Sequence, residues 1–299
     1  PPYLKAGDLV GIISPAAKIS AASDTAKVRQ RFEEWGLRVK FGASLLNQDE
    51  PYFSGTDEER AADLQAMIDD KEVKAIVAYR GGYGSVRLLD LVDFSKLRYS
   101  PKWVVGYSDV TMLHLALYQQ GVESIHGTMP TSFKYDQDDP SAESLRQALF
   151  GEASTLHVPP HPLNQPGEAI GRLIGGNLSI LYSASGTSTD FRINEPTVLV
   201  IEDIGEYMYH IDRMMQNLKQ SGKLNKISAL IVGQFTDIQE ADRFGVKHAY
   251  EVITRYTQPL NIPVIYDYPF GHSHPNTASY IGRKISVSVN ESGAMVRYL

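Results

Sequence analysis

"KWVVGYSDVTMLHLALYQQ", residues 102–120, changes period in its middle. Up to Gly106 it is a short apolar run rich in β-branched residues, and from Asp109 its apolar residues recur at helical spacing. A buried strand feeding directly into a helix is the building unit of a parallel sheet. Ser108 stands at the changeover. Serine is a favoured helix N-cap, but a serine at the tip of a strand-turn-helix elbow also holds its hydroxyl above the sheet as a nucleophile. The opening of the G-x-S-x-G pattern is present in Gly106-Tyr107-Ser108, while its final glycine is absent. The stretch by itself admits both readings.

The same alternation extends in both directions. Strands are predicted at 8–16, 37–42, 73–79 and 102–108, with helices from about Ala22 to Trp35, over 56–70 and over 109–120. The run "GYGSVRLLDLV" (82–92) fills the helix slot after the third strand. Thr56 and Glu59 form a capping-box pattern before an apolar run. Nearly continuous apolar strands between helices predict a parallel sheet covered on both faces. At 153–168 four prolines and little periodicity mark a linker. Beyond it, predicted strands at 169–176, 197–204, 227–235, 263–270 and 278–298 alternate with helices at 177–185, 209–222 and 246–257. The expected architecture is α/β throughout. A parallel-sheet domain over 1–152 carries the nucleophile, and an α/β domain over 169–299 has more antiparallel strand content.

Composition bounds the chemistry. The 299 residues are 42% hydrophobic and 21% charged, the balance of a globular protein. A net charge of −6 offers no basic excess to neutralise phosphates, which argues against nucleic acid as a partner. With no cysteine, disulfides, thiolate metal sites and thiol catalysis are all excluded. The opening "PPYLKAGDLVGIISPAA" lacks the pattern of a signal peptide, and no apolar run approaches the ~18 residues of a membrane span, so no membrane association and a cytoplasmic location are expected.

Ligands of open α/β sheets bind beyond the carboxyl ends of the strands. Three such places carry reactive residues. Ser108 is the first, with the N–H of Asp109 at the helix start available to an oxyanion. The second is "YRGGYGS" (79–85), neither G-x-G-x-x-G nor a P-loop, whose glycines let backbone amides approach an anion closely. Gly82 is the candidate second oxyanion donor, with Gly81 and Arg80 as candidate substrate contacts. Arg80 is assigned from charge and position to a substrate carboxylate. The third comprises Glu202 after "TVLVI" and the histidines of "YPFGHSHPN", His272 and His274. A serine needs a base, and the base needs an acceptor that fixes its tautomer. The order Ser108, Glu202, His272 matches the serine-acid-histidine order of α/β-hydrolases. A metallohydrolase using His272, His274 and Asp203 is the rival reading of the same residues, and a non-catalytic binding protein is a second.

The blocks "YRGGYGS", "GYSDVT", "IGGNL", "IEDIGE", "HIDRM" and "PFGH" together resemble the LD-carboxypeptidases, including the microcin C self-immunity branch. The resemblance runs over nearly the whole chain. It implies a two-domain serine peptidase with Ser108 as nucleophile, Glu202 as acid and His272, in preference to His274, as base. It further implies oxyanion amides at Asp109 and within Gly81-Gly82, with Asn177 of "GGN" lining the substrate cleft. Neither metal nor organic cofactor is implied. The implied reaction releases terminal D-alanine from murein tetrapeptides, or cleaves a peptide-nucleotide conjugate in the microcin branch, and a homodimer is implied.

Overall fold

The computed structural model describes residues 1–299 other than 21, 22, 136 and 154. The chain forms two compact units, Pro1–Ala153 with Thr277–Tyr280, and Ser154–Asn276 with Ile281–Leu299. In chain order the elements are β1 (Leu9–Ile13), α1 (Thr25–Glu34), β2 (Arg38–Phe41), α2 (Asp57–Asp69), β3 (Val73–Ala78), β4 (Trp103–Gly106), α3 (Thr111–Gln119), β5 (Ser124–His126) and α4 (Pro140–Phe150). There follow β6 (Leu156–Val158), β7 (Gly167–Asn177), α5 (Leu178–Ala184), β8 (Thr197–Ile204), α6 (Met208–Gln220), β9 (Ala229–Thr236), α7 (Ala249–Thr257), β10 (Val264–Ile265), β11 (Ser279–Ile281), β12 (Lys284–Asn290) and β13 (Gly293–Tyr298).

Among the described residues the first unit holds a six-stranded sheet in the order β11-β5-β4-β3-β1-β2, and the pairs β1–β2, β1–β3, β3–β4 and β4–β5 are parallel. β1 and β4 are buried along their whole length and β3 nearly so, as a sheet covered on both faces requires. Ile13, Leu64, Ile76, Val104 and Leu113 bring both strands and helices into one core. α2 begins at the capping box read from the sequence: Thr56 Oγ1 accepts from the Glu59 N–H at 3.2 Å, and Glu59 accepts from the Thr56 N–H at 2.8 Å. α1 is capped by Asp24, and its expected start at Ala22 lies outside the described residues.

The run 82–92 forms only a single 3₁₀ turn at Ser85–Leu88 in place of a helix. Gly82 and Gly84 hold φ of +107° and +142°, which no helix contains. Asp93 then starts a second short turn by accepting from the Ser95 N–H at 2.9 Å.

The second unit holds a seven-stranded sheet in the order β10-β9-β8-β7-β12-β13-β6. Its first half is parallel, and from β7 onward the pairs are antiparallel. Burial follows the topology. β8 is buried at seven consecutive positions, whereas β12 alternates, with one face toward the core and one toward water. Two details differ from the sequence reading. The 153–168 stretch contains β6, which pairs with β13, and β11 lies at the edge of the first sheet. No helix among the described residues is long and apolar enough to cross a membrane.

Candidate active site

β4 ends at Gly106, where an added Cβ would lie 2.8 Å from both Cγ atoms of Val110, so only glycine lets the chain turn this closely. Ser108 follows with φ +62°, a left-handed conformation that non-glycine residues rarely adopt and that costs on the order of 1 kcal/mol or more. Neither the 3₁₀ turn Ser108–Val110 nor α3 has a side-chain cap, so the serine is not serving as an N-cap. It is half-buried at the carboxyl end of the strand. The elbow is held from below. His114, fully buried in α3, places Nε2 2.9 Å from the Gly106 carbonyl and Nδ1 2.8 Å from the Ser124 hydroxyl. Burial lowers its pKa to about 4, so it is neutral, with Nε2 donating to the carbonyl.

The glycine loop packs beside the elbow. A Cβ on Gly81 would stand 3.2 Å from Ser108 Cβ and 3.4 Å from its Oγ. A Cβ on the exposed Gly82 would strike Ala17 Cβ at 2.7 Å. The Asp109 N–H lies in the first helical turn, where no intrahelical carbonyl is available to it. The Asp109 carboxylate is buried and accepts from the Ser85 N–H at 2.8 Å. Burial raises its pKa, against the bonds from Ser85 and Gly84 and the charge of Arg60. Arg80 is half-buried and donates from Nη1 to the Lys18 carbonyl at 2.9 Å.

In the second unit Glu202 is removed from solvent, with Oε2 2.7 Å from His272 Nδ1. Its Oε1 has no hydrogen-bond partner among the described residues. A buried carboxylate oxygen left in that state is costly, and such exceptions concentrate at functional sites. Three backbone features put it there. The β8–β9 register shifts between Ile201, paired with Val232, and Asp203, paired with Phe235, so β9 bulges opposite Glu202. At the bulge a Cβ on Gly233 would lie 2.4 Å from the Phe270 carbonyl oxygen. Gly271, with φ +122°, passes so near that its Cβ would stand 2.7 Å from Glu202 Oε2. With the carboxylate at Nδ1, that nitrogen carries the proton of the neutral imidazole and Nε2 is the basic one. Burial works against the imidazolium, but the charge and hydrogen bond of Glu202, with Asp203 behind, outweigh it, and the His272 pKa is raised. His274 is exposed.

Asp203 points away into a separate network. It accepts from Asn177 Nδ2 at 3.0 Å and from the Ser179 N–H at 2.8 Å. Burial, then the neighbouring Glu202, raises its pKa to about 8. Asn177, expected along a substrate cleft, is buried as the N-cap of α5 and accepts from the Ile180 N–H at 3.2 Å. Among the described residues no group of three or more His, Cys, Asp and Glu is placed to hold a metal ion.

Residues 10–127 match the LD-carboxypeptidase N-terminal domain and residues 170–287 the LD-carboxypeptidase C-terminal domain. The chain belongs to the LD-carboxypeptidase family. It is 38% identical to a "Probable murein peptide carboxypeptidase" of Bacillus subtilis strain 168, over 99% of this chain and 93% of that protein. The muramoyltetrapeptide carboxypeptidase from Oxalobacter formigenes superposes with a TM-score of 0.86 at 26% identity, over 97% of this chain and 98% of that one. The microcin C7 self-immunity protein MccF, in complex with aspartyl sulfamoyl adenosine, has a TM-score of 0.87 at 23% identity, over 99% of this chain and 97% of that one, and shares the fold. LD-carboxypeptidase membership makes this chain a peptidase by family.

Sequence reading missed several residues that shape the site. Arg60 offered a signal: with Leu64, Met67 and Ile68 it falls on the apolar face of α2, an odd position for a charge. His114 sits in a helix buried almost all round, where no periodicity separates it from its neighbours.

Proposed function

We propose that the protein is a serine-type LD-carboxypeptidase that releases terminal D-alanine from murein tetrapeptides. The observation that carries this reading is the buried Glu202 carboxylate holding Nδ1 of His272, which makes Nε2 the basic nitrogen of the ring. Ser108, held in a left-handed elbow beside a glycine loop, is the nucleophile the reading assigns to it. His272 Nε2 takes the Ser108 proton as Oγ bonds to the carbonyl carbon preceding the D-residue. The Asp109 and Gly82 amides stabilise the oxyanion. The imidazolium then protonates the leaving amine, and water, deprotonated by the same histidine, cleaves the acyl-serine. Glu202 orients the base throughout. The names borne by the relatives support murein peptide as the substrate class.

A cytoplasmic homodimer, with a small peptide as its only partner, completes the proposal. The test is mass spectrometry of L-Ala-γ-D-Glu-meso-diaminopimelate-D-Ala incubated with the protein. Loss of one alanine is the expected result. An unchanged tetrapeptide alongside cleavage of a peptide-nucleotide conjugate would reject the murein substrate in favour of the microcin-type one.

A further inference from the structure

The Gly84–Ser85 peptide group is gripped at both ends by buried side chains of opposite charge. Its carbonyl accepts from Nη1 of Arg60 at 3.3 Å, and its N–H donates to Oδ2 of Asp109 at 2.8 Å. Asp109 is the residue after Ser108, and Arg60 reaches in from α2. The Arg60 side chain is wholly buried. The same Nη1 donates to the Pro15 carbonyl at 2.6 Å, Nε donates to the Gly55 carbonyl at 3.3 Å, and Nη2 pairs with Asp57. The guanidinium also lies over the Phe53 ring, 4.6 Å from its centroid.

Burying a guanidinium is expensive unless its donors are satisfied. Here three backbone carbonyls from three separate loops, together with the Asp57 carboxylate, satisfy them. The glycine loop needs such an anchor. Gly81, Gly82 and Gly84 have no side chains with which to fix themselves, and a loop this rich in glycine is conformationally loose. Donors to an oxyanion act only if they are held within about 0.5 Å of the productive position before the reaction. An ionised acceptor on the Ser85 N–H makes a stronger bond than a neutral one. It also returns a negative charge toward Arg60 across a single peptide. The fit is tight: a Cβ on Gly84 would lie 2.9 Å from Nη1 of Arg60.

We infer that Arg60 and Asp109 clamp the Gly84–Ser85 peptide and thereby set the Gly81-Gly82 amides against the Ser108 elbow. Both side chains are positioning residues for oxyanion stabilisation, and the inference rests on the serine reading above. Asp109 thus has two separate tasks, its own N–H toward the oxyanion and its carboxylate toward the loop that carries the other donor.

The test compares Asp109→Ala, Asp109→Asn, Arg60→Lys and the Arg60→Lys/Asp109→Ala double variant on the murein tetrapeptide. Ser108→Ala is run in parallel, with amide hydrogen exchange on each folded variant. Asp109→Ala is expected to lower kcat by about 10²- to 10³-fold, the usual cost of one oxyanion donor, with KM within about threefold. Asp109→Asn, which keeps an acceptor oxygen, recovers about tenfold of that loss. The double variant falls no more than about threefold below Asp109→Ala, because both side chains hold one peptide. Exchange at Ser85 accelerates while β1, β3 and β4 stay protected. If Asp109→Ala fails to fold, Asp109→Asn and Arg60→Lys carry the same comparison.

A kcat within threefold of wild type, a loss confined to KM, or losses that multiply in the double variant overturn the clamp. Activity remaining in Ser108→Ala rejects the serine reading itself. An inactive Ser108→Ala beside an unimpaired Asp109→Ala rejects the clamp alone.

Discussion

Nδ1 of His272 lies 2.7 Å from Oε2 of Glu202, a carboxylate with no exposure to solvent. The two residues are 70 apart in sequence and are joined by backbone features that exist only in the folded sheet. A β9 bulge at Gly233 and the positive φ of Gly271 open the space that the carboxylate occupies. The pair fixes one imidazole nitrogen as donor and leaves the other basic.

That pair sets a pH dependence. His272 must be neutral to take a proton, and its pKa is raised above 6.5. The kcat/KM profile should therefore rise with pH, with its acid limb centred above 6.5. The linked stability runs the other way. The increment from the Glu202–imidazolium pair is fully present below pH 6.5 and fades as pH climbs through the raised value. A pH–rate profile and the His272 ring shifts by NMR check both, and a limb centred below 6.5 contradicts the pairing.

Glu202→Gln keeps the shape of the side chain but removes its charge. The acid limb should move to lower pH and kcat should fall by about 10³- to 10⁴-fold, the order seen when the acid of a triad is neutralised. Steady-state kinetics across pH read both effects. A variant with normal kcat and an unmoved limb would remove Glu202 from the mechanism.

Gly271→Ala tests the packing that holds Glu202. Its methyl would fall 2.7 Å from Glu202 Oε2 and 2.8 Å from Glu202 Cβ, on a residue with φ +122°. The carboxylate must give way, and activity should drop at least tenfold in a protein that still folds. Wild-type kcat in that variant would show that the Glu202 position is not critical.

His114 tests the support of the elbow. Replacing it by Phe removes the donor to the Gly106 carbonyl and leaves the Ser124 hydroxyl short of a partner, at an expected cost of about 1–3 kcal/mol. Because burial lowers its pKa to about 4, the fold has this histidine's full contribution above pH 6.5 and loses it, up to about 3 kcal/mol, as pH falls from 6.5 toward 4. Urea titrations at pH 7.5 and pH 5 should show a wild-type decrease on acidification that is smaller in His114→Phe. Equal decreases would mean that another group dominates.

The α/β class was legible because buried parallel strands and helices leave different periods, and "KWVVGYSDVTMLHLALYQQ" holds both in 19 residues. Ser108, Glu202 and His272 were legible as residues following apolar runs, since ligand sites in such folds gather at strand ends. Their pairing was read from the serine-acid-histidine order and the family blocks, whereas the bulge and register shift that place the Glu202 carboxylate leave no periodic trace. β5, α4 and β6 went unread. α4 carried its own signals in Asp139 at the cap, Pro140 in the first turn and Gly151 just after the last. The Arg60–Asp109 link depends on two long-range bonds to one peptide, and no spacing rule encodes that.

The central claim is that Ser108 is the nucleophile. The direct measurement is D-alanine release from the murein tetrapeptide at saturating substrate by wild type and Ser108→Ala. The account expects turnover by wild type and a kcat lower by about 10⁴- to 10⁶-fold in the variant. A Ser108→Ala protein that keeps more than a tenth of the wild-type rate would contradict it.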